Sequence, residues 1–241
     1  MSGRAVVVGA GMGGLTAAVL LQQRGWQVTV LEQHTRPGGL LHRFFRGAVP
    51  YDTGFHYCGS VDRGQPLGQA LRHLGVFDDL TFRPLDPDGF DRLRFPGEEI
   101  RVPVGIERYK ARLKDRFPHD AAGIDAFFAE VDAALDPYGL YRMRHALDID
   151  GILRVEAESV AQVLRRHVRD PKLQAALVAQ AMLYGVPPAE APFGLHAIVL
   201  DHFLAGAYTV EGGGDKLART MSRRVRALGG TESGCAPTSP R

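Results

Sequence analysis

The residues with the clearest chemical potential lie near the amino terminus. Gly9-Ala10-Gly11-Met12-Gly13-Gly14 fits the spacing G-x-G-x-x-G, Glu32 lies downstream of it, and Arg36-Pro37-Gly38-Gly39 follows. A six-residue glycine pattern is a weak signal alone. It gains weight where it follows a strand, opens a helix and precedes an acidic residue at the end of the next strand, as here. Gly9 permits a tight turn, Gly11 lets the backbone approach a pyrophosphate, and Gly14 lets helix and strand pack closely, with Gly13 beside them. The helix that opens there offers free N–H groups and partial positive charge to an anion. A carboxylate at Glu32 can accept ribose hydroxyls and would repel a 2′-phosphate, which argues against NADP. The second diglycine, Gly38-Gly39, suggests another close approach of backbone to the same dinucleotide, which an NAD-dependent dehydrogenase does not need. The blander readings are a glycine-rich turn and a solvent-facing glutamate.

The elements that must position these residues are also legible. Residues 4–8 read as a short buried strand, residues 15–24 as a helix stopped by Gly25, and residues 27–31 as a second β-branched strand. That is a parallel β-α-β unit, the opening of a doubly wound sheet. Residues 41–51 alternate as a hairpin around Arg46-Gly47, residues 65–74 look helical, and residues 80–102 read as antiparallel strands with a turn at Phe95-Pro96-Gly97-Glu98. The middle then turns helical. Ile106, Tyr109, Leu113 and Phe117 recur at helical spacing, as do Ile124, Phe127, Phe128, Val131 and Leu135, and Val160, Val163, Leu164 and Val168. Asp170-Pro171 reads as a helix start and Pro187-Pro188 as its end. A strand over residues 207–210 precedes Glu211-Gly212-Gly213-Gly214 and a basic amphipathic helix closed by Gly229-Gly230. Residues 231–241 are small, polar and aperiodic, and are expected to be disordered.

Composition bounds the function. The chain has 241 residues, 45% hydrophobic and 23% charged, with a formal net charge of +2. This excludes wholesale disorder and gives no strong field for nucleic acid. The two cysteines, Cys58 and Cys235, make neither a disulfide framework nor a metal-ligand spacing, so a reducing cytoplasm is the default and no metal is expected. Residues 5–21 carry no charge, but the glycines at their centre argue against a signal or membrane helix. The runs Arg223-Arg224 with Arg226, and Arg165-Arg166-His167, read as solvated helix ends.

The run VVVGAGMGGLTAAVLLQQRGWQVTVLEQHTRPGG resembles the FAD-binding amino terminus of flavin oxidoreductases with the amine-oxidase type of fold. Tyr51-Asp52-Thr53-Gly54-Phe55-His56-Tyr57 narrows the resemblance to the phytoene desaturase, carotenoid isomerase and retinol saturase branch, and Tyr208 to Gly214 with the basic helix is similar to it as well. The usual proline before those later glycines is absent, and Glu211 stands where the glycine-rich approach begins. The resemblance implies FAD as cofactor and an apolar polyene or isoprenoid as substrate. It also implies desaturation, saturation or isomerisation at carbon–carbon bonds. It carries Gly9, Gly11, Gly13, Gly14, Glu32, Arg36, Gly38 and Gly39 over as FAD contacts, and places Asp52, Gly54 and His56 near the flavin. It names no catalytic residue. His56 could transfer a proton or be structural.

The expected architecture is therefore α/β: a Rossmann-like FAD-binding unit with an inserted mixed antiparallel-strand and helical substrate region. Residues 1–60 form the FAD-binding β-α-β unit and flavin-proximal loop, 61–205 the substrate region, 206–230 the return to the nucleotide-binding domain, and 231–241 a tail. The middle helices read either as ordinary core or as a lid for a long apolar substrate, touching a membrane through Phe127 and Phe128. Relatives in the resembled branch are about twice this length, so a truncation is expected, with two clear sheet strands, one missing flavin wall and marginal folding. The rival readings are a non-catalytic FAD-binding fragment and another amine-oxidase-type flavoprotein.

Overall fold

The computed structural model describes residues 3–142, 144 and 147–234. In chain order, β1 (Arg4–Val8), α1 (Met12–Gln23) and β2 (Gln27–Glu32) are followed by β3 (Arg43–Arg46), β4 (Val49–Asp52), α2 (Pro66–Leu74) and β5 (Phe82–Pro84). Next come β6 (Asp91–Phe95), β7 (Glu98–Val102), α3 (Ile106–Arg116), α4 (Ala121–Ala134), α5 (Ile149–Glu156) and α6 (Val160–His167). The last elements are α7 (Pro171–Leu177), α8 (Phe193–Leu204), β8 (Tyr208–Val210), α9 (Gly213–Ala227) and β9 (Thr231–Gly234). Two compact units emerge. Residues up to Cys58, Arg63–Arg83 and those from Tyr208 on form the first; Gly59–Asp62 and Pro84–Ala207 form the second. Residues 63–83, read from sequence with the substrate region, thus lie in the first unit.

The first unit is built on a three-stranded parallel sheet of order β1-β2-β9. Its third strand corrects the expectation that residues 231–234 are disordered and that the sheet has two clear strands; residues 235–241 with Cys235 lie outside the described residues. The segment Thr-Glu-Ser-Gly has no apolar alternation, so its pairing comes from its neighbour: Thr231 faces Thr29, and their hydroxyls lie 3.1 Å apart. One face of the sheet is covered by α1 and α9, which pack through Leu15, Ala18, Val19, Leu217, Met221 and Val225. Gln22 ties the two helices, its side-chain N–H donating to the Val225 carbonyl at 2.9 Å. On β1 the alternate residues Val6 and Val8 are 63% and 83% exposed. A parallel sheet usually buries both faces, and here, among the described residues, the other face leaves Val6, Val8 and Leu31 exposed.

The second unit has one contiguous core drawn from β7, α3, α4, α6, α7 and α8. Phe127 is fully buried and Phe128 nearly so, packed edge to face with each other, which corrects the reading that they form a membrane-touching surface. Helical periodicity specifies an apolar face without saying what covers it; α3, α6 and α8 do. Local sequence sets the helix starts. Ser159 and Gln162 form a capping box on α6, and the Asp170 carboxylate accepts the N–H groups of Lys172 and Leu173 at the start of α7. That helix ends at Leu177, well before Pro187-Pro188, and a short 3₁₀ turn follows. His196 of α8 is buried and its pKa is pushed down to about 4 by desolvation. The Leu177 carbonyl can only accept, so Nε2 of His196 carries the proton it donates there at 2.9 Å, and Nδ1 accepts the Tyr184 hydroxyl. No helix among the described residues is long and apolar enough to cross a membrane.

The contrast between covered and open apolar residues is testable by urea unfolding. Phe127→Ala should cost about 3–5 kcal/mol, the range for emptying a large buried aromatic site. Val8→Thr, at an open position, should stay within about 0.5 kcal/mol of the parent chain. A large loss at residue 8 would mean that the second sheet face is covered in solution.

Candidate dinucleotide site

The first glycine turn follows β1 directly. Gly9 takes φ +98°, a left-handed conformation that only glycine adopts easily, and its N–H donates to the Leu31 carbonyl at 2.7 Å. Gly14 lies in the first turn of α1, and a Cβ there would stand 2.0 Å from the Gly9 carbonyl oxygen. The close helix–strand approach expected of the motif is therefore present. Gly11 has ordinary extended backbone (φ −72°, ψ 177°), and a Cβ on it or on Gly13 would meet nothing within 4 Å. Nothing in the chain's own packing requires glycine at these two positions. They leave a cradle over the N-terminus of α1, whose first turn holds no acidic residue. The first N–H groups of a helix lack intrahelical acceptors, so this end is free to receive an anion.

The second glycine turn docks against the first. The Gly38 N–H donates to the Ala10 carbonyl at 2.8 Å, and Gly11 and Gly38 form an isolated parallel bridge. Gly38 and Gly39 both take positive φ, +136° and +55°. Glu32 closes the group. Its Oε2 accepts the Ala10 N–H at 2.7 Å and its Oε1 accepts the His34 N–H at 2.8 Å. These bonds, the one from His34 foremost, hold the carboxyl below its usual pKa. The Gln33 backbone bonds to it as well, so of the roughly four lone-pair positions of an ionised carboxylate about one remains for an outside donor.

Three further elements brace the second turn, and of their residues sequence reasoning singled out Asp52 but not His42, Arg43 or Asp215. His42 accounts for the turn's shape: Nε2 lies 2.9 Å from the Pro37 carbonyl and 3.0 Å from that of Arg36. The β3–β4 hairpin follows, with Arg43 Nε donating to Asp52 Oδ1 at 2.8 Å. Asp52 is thus engaged by Arg43. Asp215, in the first turn of α9, accepts the Arg43 N–H at 3.3 Å and lies 3.7 Å from Nη1 of half-exposed Arg36. A Cβ on Gly214 would stand 2.4 Å from the Leu41 carbonyl oxygen, so the second glycine run lets α9 press against the turn that follows Gly39. The signal that could have found this is the Gly213-Gly214-Asp215 start of a basic helix, read at the sequence level as similarity alone.

The structure brings Gly9, Gly11, Gly13, Gly14, Glu32, Gly38 and Gly39 into one place. Asp52 and Gly54 join through the hairpin, since Gly54 lies against Leu40 and the Thr53 N–H donates to the His42 carbonyl at 3.3 Å. His56 is exposed and makes no protein hydrogen bond among the described residues. Cys58, buried, has its thiol pKa pushed up to about 12 by desolvation, so it is not a nucleophile.

Two outcomes separate packing from binding in this cradle. Gly14→Ala should destabilise the chain by about 1–3 kcal/mol or more through the clash with Gly9, whereas Gly11→Ala should leave stability within about 0.5 kcal/mol. Thermal or urea unfolding of both checks this. Glu32 adds a pH signature. Its folded pKa is depressed, so its stabilisation is present above the unfolded value of about 4.3 and is lost as pH falls through the lower folded value. The advantage of the parent chain over Glu32→Gln should therefore be present at pH 7 and vanish in acid.

Comparison with known proteins agrees with this geometry. The model for an NAD(P)-binding Rossmann-like domain matches residues 7–74. All-trans-retinol 13,14-reductase of Rattus norvegicus is 32% identical over 94% of this chain and 40% of that protein. Hydroxyneurosporene desaturase of Rubrivivax gelatinosus is 30% identical over 96% of this chain and 47% of that protein. Among solved structures, an oxidoreductase from Methanosarcina mazei superposes with a TM-score of 0.64 at 17% identity, covering 97% of this chain and 51% of its own, which shows a shared fold. The chain thus spans between 40% and 47% of the two curated relatives. It carries a Rossmann-like dinucleotide-binding unit, and along nearly all its length it is similar to a retinol reductase and a hydroxyneurosporene desaturase.

Proposed function

We propose that the chain is the FAD-binding portion of an oxidoreductase acting on carbon–carbon bonds of an apolar polyene or isoprenoid. The observation that carries the cofactor is the docking of the second glycine turn on the first, through the Gly38 N–H and the Ala10 carbonyl. One diglycine approach serves a single turn. Two, joined, make a longer backbone surface for a dinucleotide. The residues present fit such a group: open space at Gly11 and Gly13, an uncompensated helix N-terminus, and a carboxylate with acceptor capacity to spare for an outside donor. The substrate class is supported by the relatives, whose names specify retinol and hydroxyneurosporene.

In this reading the N–H groups at the start of α1 bind the pyrophosphate, and Glu32 accepts a ribose hydroxyl. Arg36, held near Asp215, and the backbone of Gly38 and Gly39 line the same dinucleotide. Asp52 acts through Arg43, orienting the hairpin beside the second turn, with Gly54 next to it and His56 on the flavin side. When bound, an isoalloxazine ring supplies hydride transfer to or from carbon, and the protein supplies position and exclusion of water. Surface contact with lipid, in a cytoplasmic protein, belongs to the same reading. It is supported by exposed Phe44, Phe45 and Tyr51 of the β3–β4 hairpin, two of them stacked.

The protein purified from its host should release a flavin on denaturation, and FAD should bind the apoprotein. Glu32→Ala should weaken that binding by about 1.5–3 kcal/mol, roughly 10- to 100-fold, the scale of charge-assisted hydrogen bonds. Recovery of NAD or NADP without flavin would contradict the assignment, and unchanged FAD affinity in the variant would place Glu32 outside the site.

A further inference from the structure

Residues 33–37, between Glu32 and the second glycine turn, form neither helix nor strand, so side chains must set their path. Glu32 Oε1 accepts the His34 N–H at 2.8 Å. The His34 ring takes the next step, its Nδ1 accepting the Arg36 N–H at 3.1 Å. Pro37 has no N–H, so that of Arg36 is the last backbone donor before Gly38. His42 Nε2 then meets the carbonyls of Arg36 and Pro37. The centroids of the two imidazole rings lie 4.5 Å apart.

The rings play opposite parts. A carbonyl can only accept, so His42 Nε2 carries a proton and donates, whether its ring is neutral or charged. A backbone N–H can only donate, so His34 Nδ1 is bare and its ring is neutral, with the proton on Nε2. Protonation at Nδ1 removes that acceptor and sets a second donor against the Arg36 N–H. It also places a positive charge 4.5 Å from the His42 ring. Histidine is the side chain that makes this change between about pH 5 and 8.

The other charged groups around the pair are engaged. On the same segment Glu32 interacts with His34, and its lowered pKa keeps it ionised through that window. The Arg36 side chain reaches the Arg43 carbonyl at 3.5 Å. From the β3–β4 hairpin, Arg43 pairs with Asp52. From α9, Asp215 stands near both Arg36 and Arg219. From β9, a Cβ on Gly234 would meet the His34 carbonyl oxygen at 3.6 Å, and Glu232 Oε2 is taken by Ser222 and Arg226. His34 is the member of this cluster whose change of charge breaks a bond that shapes the turn.

On the reading of the cradle as a dinucleotide site, we propose that His34 is a positioning residue for it. The neutral ring holds the Arg36 peptide, and through it the Gly38-Gly39 turn, in the binding shape. Protonation releases the turn and weakens dinucleotide binding in mild acid.

Two readouts on the 241-residue chain test this. The first needs no ligand. Nitrogen shifts of the His34 ring and the amide shifts of Gly38 and Gly39 are followed from about pH 8 to about pH 5. The expected ring carries its proton on Nε2 at the upper pH, and both glycine amides follow its titration. In His34→Asn, whose side-chain oxygen stands where Nδ1 does and does not titrate, they should not move. The second readout is FAD affinity at the two pH values, with circular dichroism confirming each fold. The parent should bind about three- to tenfold more weakly in acid, the scale of one hydrogen bond. His34→Asn keeps the acceptor, so its two affinities should agree within about twofold. His34→Ala lacks it at both pH values, so it should bind more weakly than His34→Asn and show no pH dependence. His42→Gln, which retains a donor, should keep the pH dependence. A proton on Nδ1 at the upper pH, glycine amides that ignore the ring, or a pH dependence that survives in His34→Asn overturns the proposal. So does a parent that binds FAD equally at both pH values. Absence of FAD binding to every chain contradicts the dinucleotide reading instead, and the ligand-free titration then decides whether His34 shapes the turn.

Discussion

The cradle formed by the two glycine turns depends on one close approach. The carbonyl oxygen of Gly9 occupies the space in which any other residue at position 14 would place its Cβ. This lets α1 start immediately above the end of β1 and aims its N-terminal N–H groups into the open space over Gly11 and Gly13. It also fixes the Ala10 peptide, whose carbonyl receives Gly38 and whose N–H reaches Glu32. Both turns and the carboxylate are thus referred to a single peptide group. A shift of the helix by one side chain's width would loosen all of them together.

Two helices of the first unit, α1 and α9, treat their N-termini differently. In α9 the first turn contains Asp215, nearly buried and shared among the Arg43 N–H, Arg36 and Arg219. Its positive end is thereby answered within the chain. In α1 the first turn is Met12-Gly13-Gly14-Leu15, with no carboxylate to answer it. Since the macrodipole effect is confined to the first turn, of these two helices it is α1 whose positive end is left to an external anion. The ion pair of Arg43 with Asp52 serves a different purpose, holding the hairpin to the second turn. That network is internally neutralised, so its contribution is position more than attraction.

The β1–α1–β2 unit was legible because its signals are local: a β-branched run, glycines at fixed offsets and a second β-branched run ending in Glu32. The hairpin at Arg46-Gly47 and the cap at Asp170 were legible for the same reason. What sequence could not show was which local elements meet. His42 reads as one of nine histidines, and its role appears only when its ring is found beside the Arg36 and Pro37 carbonyls. Residues 231–234 have one strand-favouring side chain, Thr231, and are ordered by the edge of β2, a tertiary cause that outweighs propensity. Phe127 and Phe128 show the same limit from the other side. Their spacing announces an apolar face, and only the packing of α3, α6 and α8 shows that the face belongs to the core.

The central claim is that both glycine turns and Glu32 bind one dinucleotide as a unit. Amide chemical-shift mapping of the isotopically labelled chain during titration with FAD tests it most directly. The account predicts coupled, saturating shifts at Gly11, Gly13, Glu32, Gly38 and Gly39 with a single dissociation constant, and none in the α3–α4 core. Shifts confined to one turn, different constants for the two turns, or no response in either would contradict it.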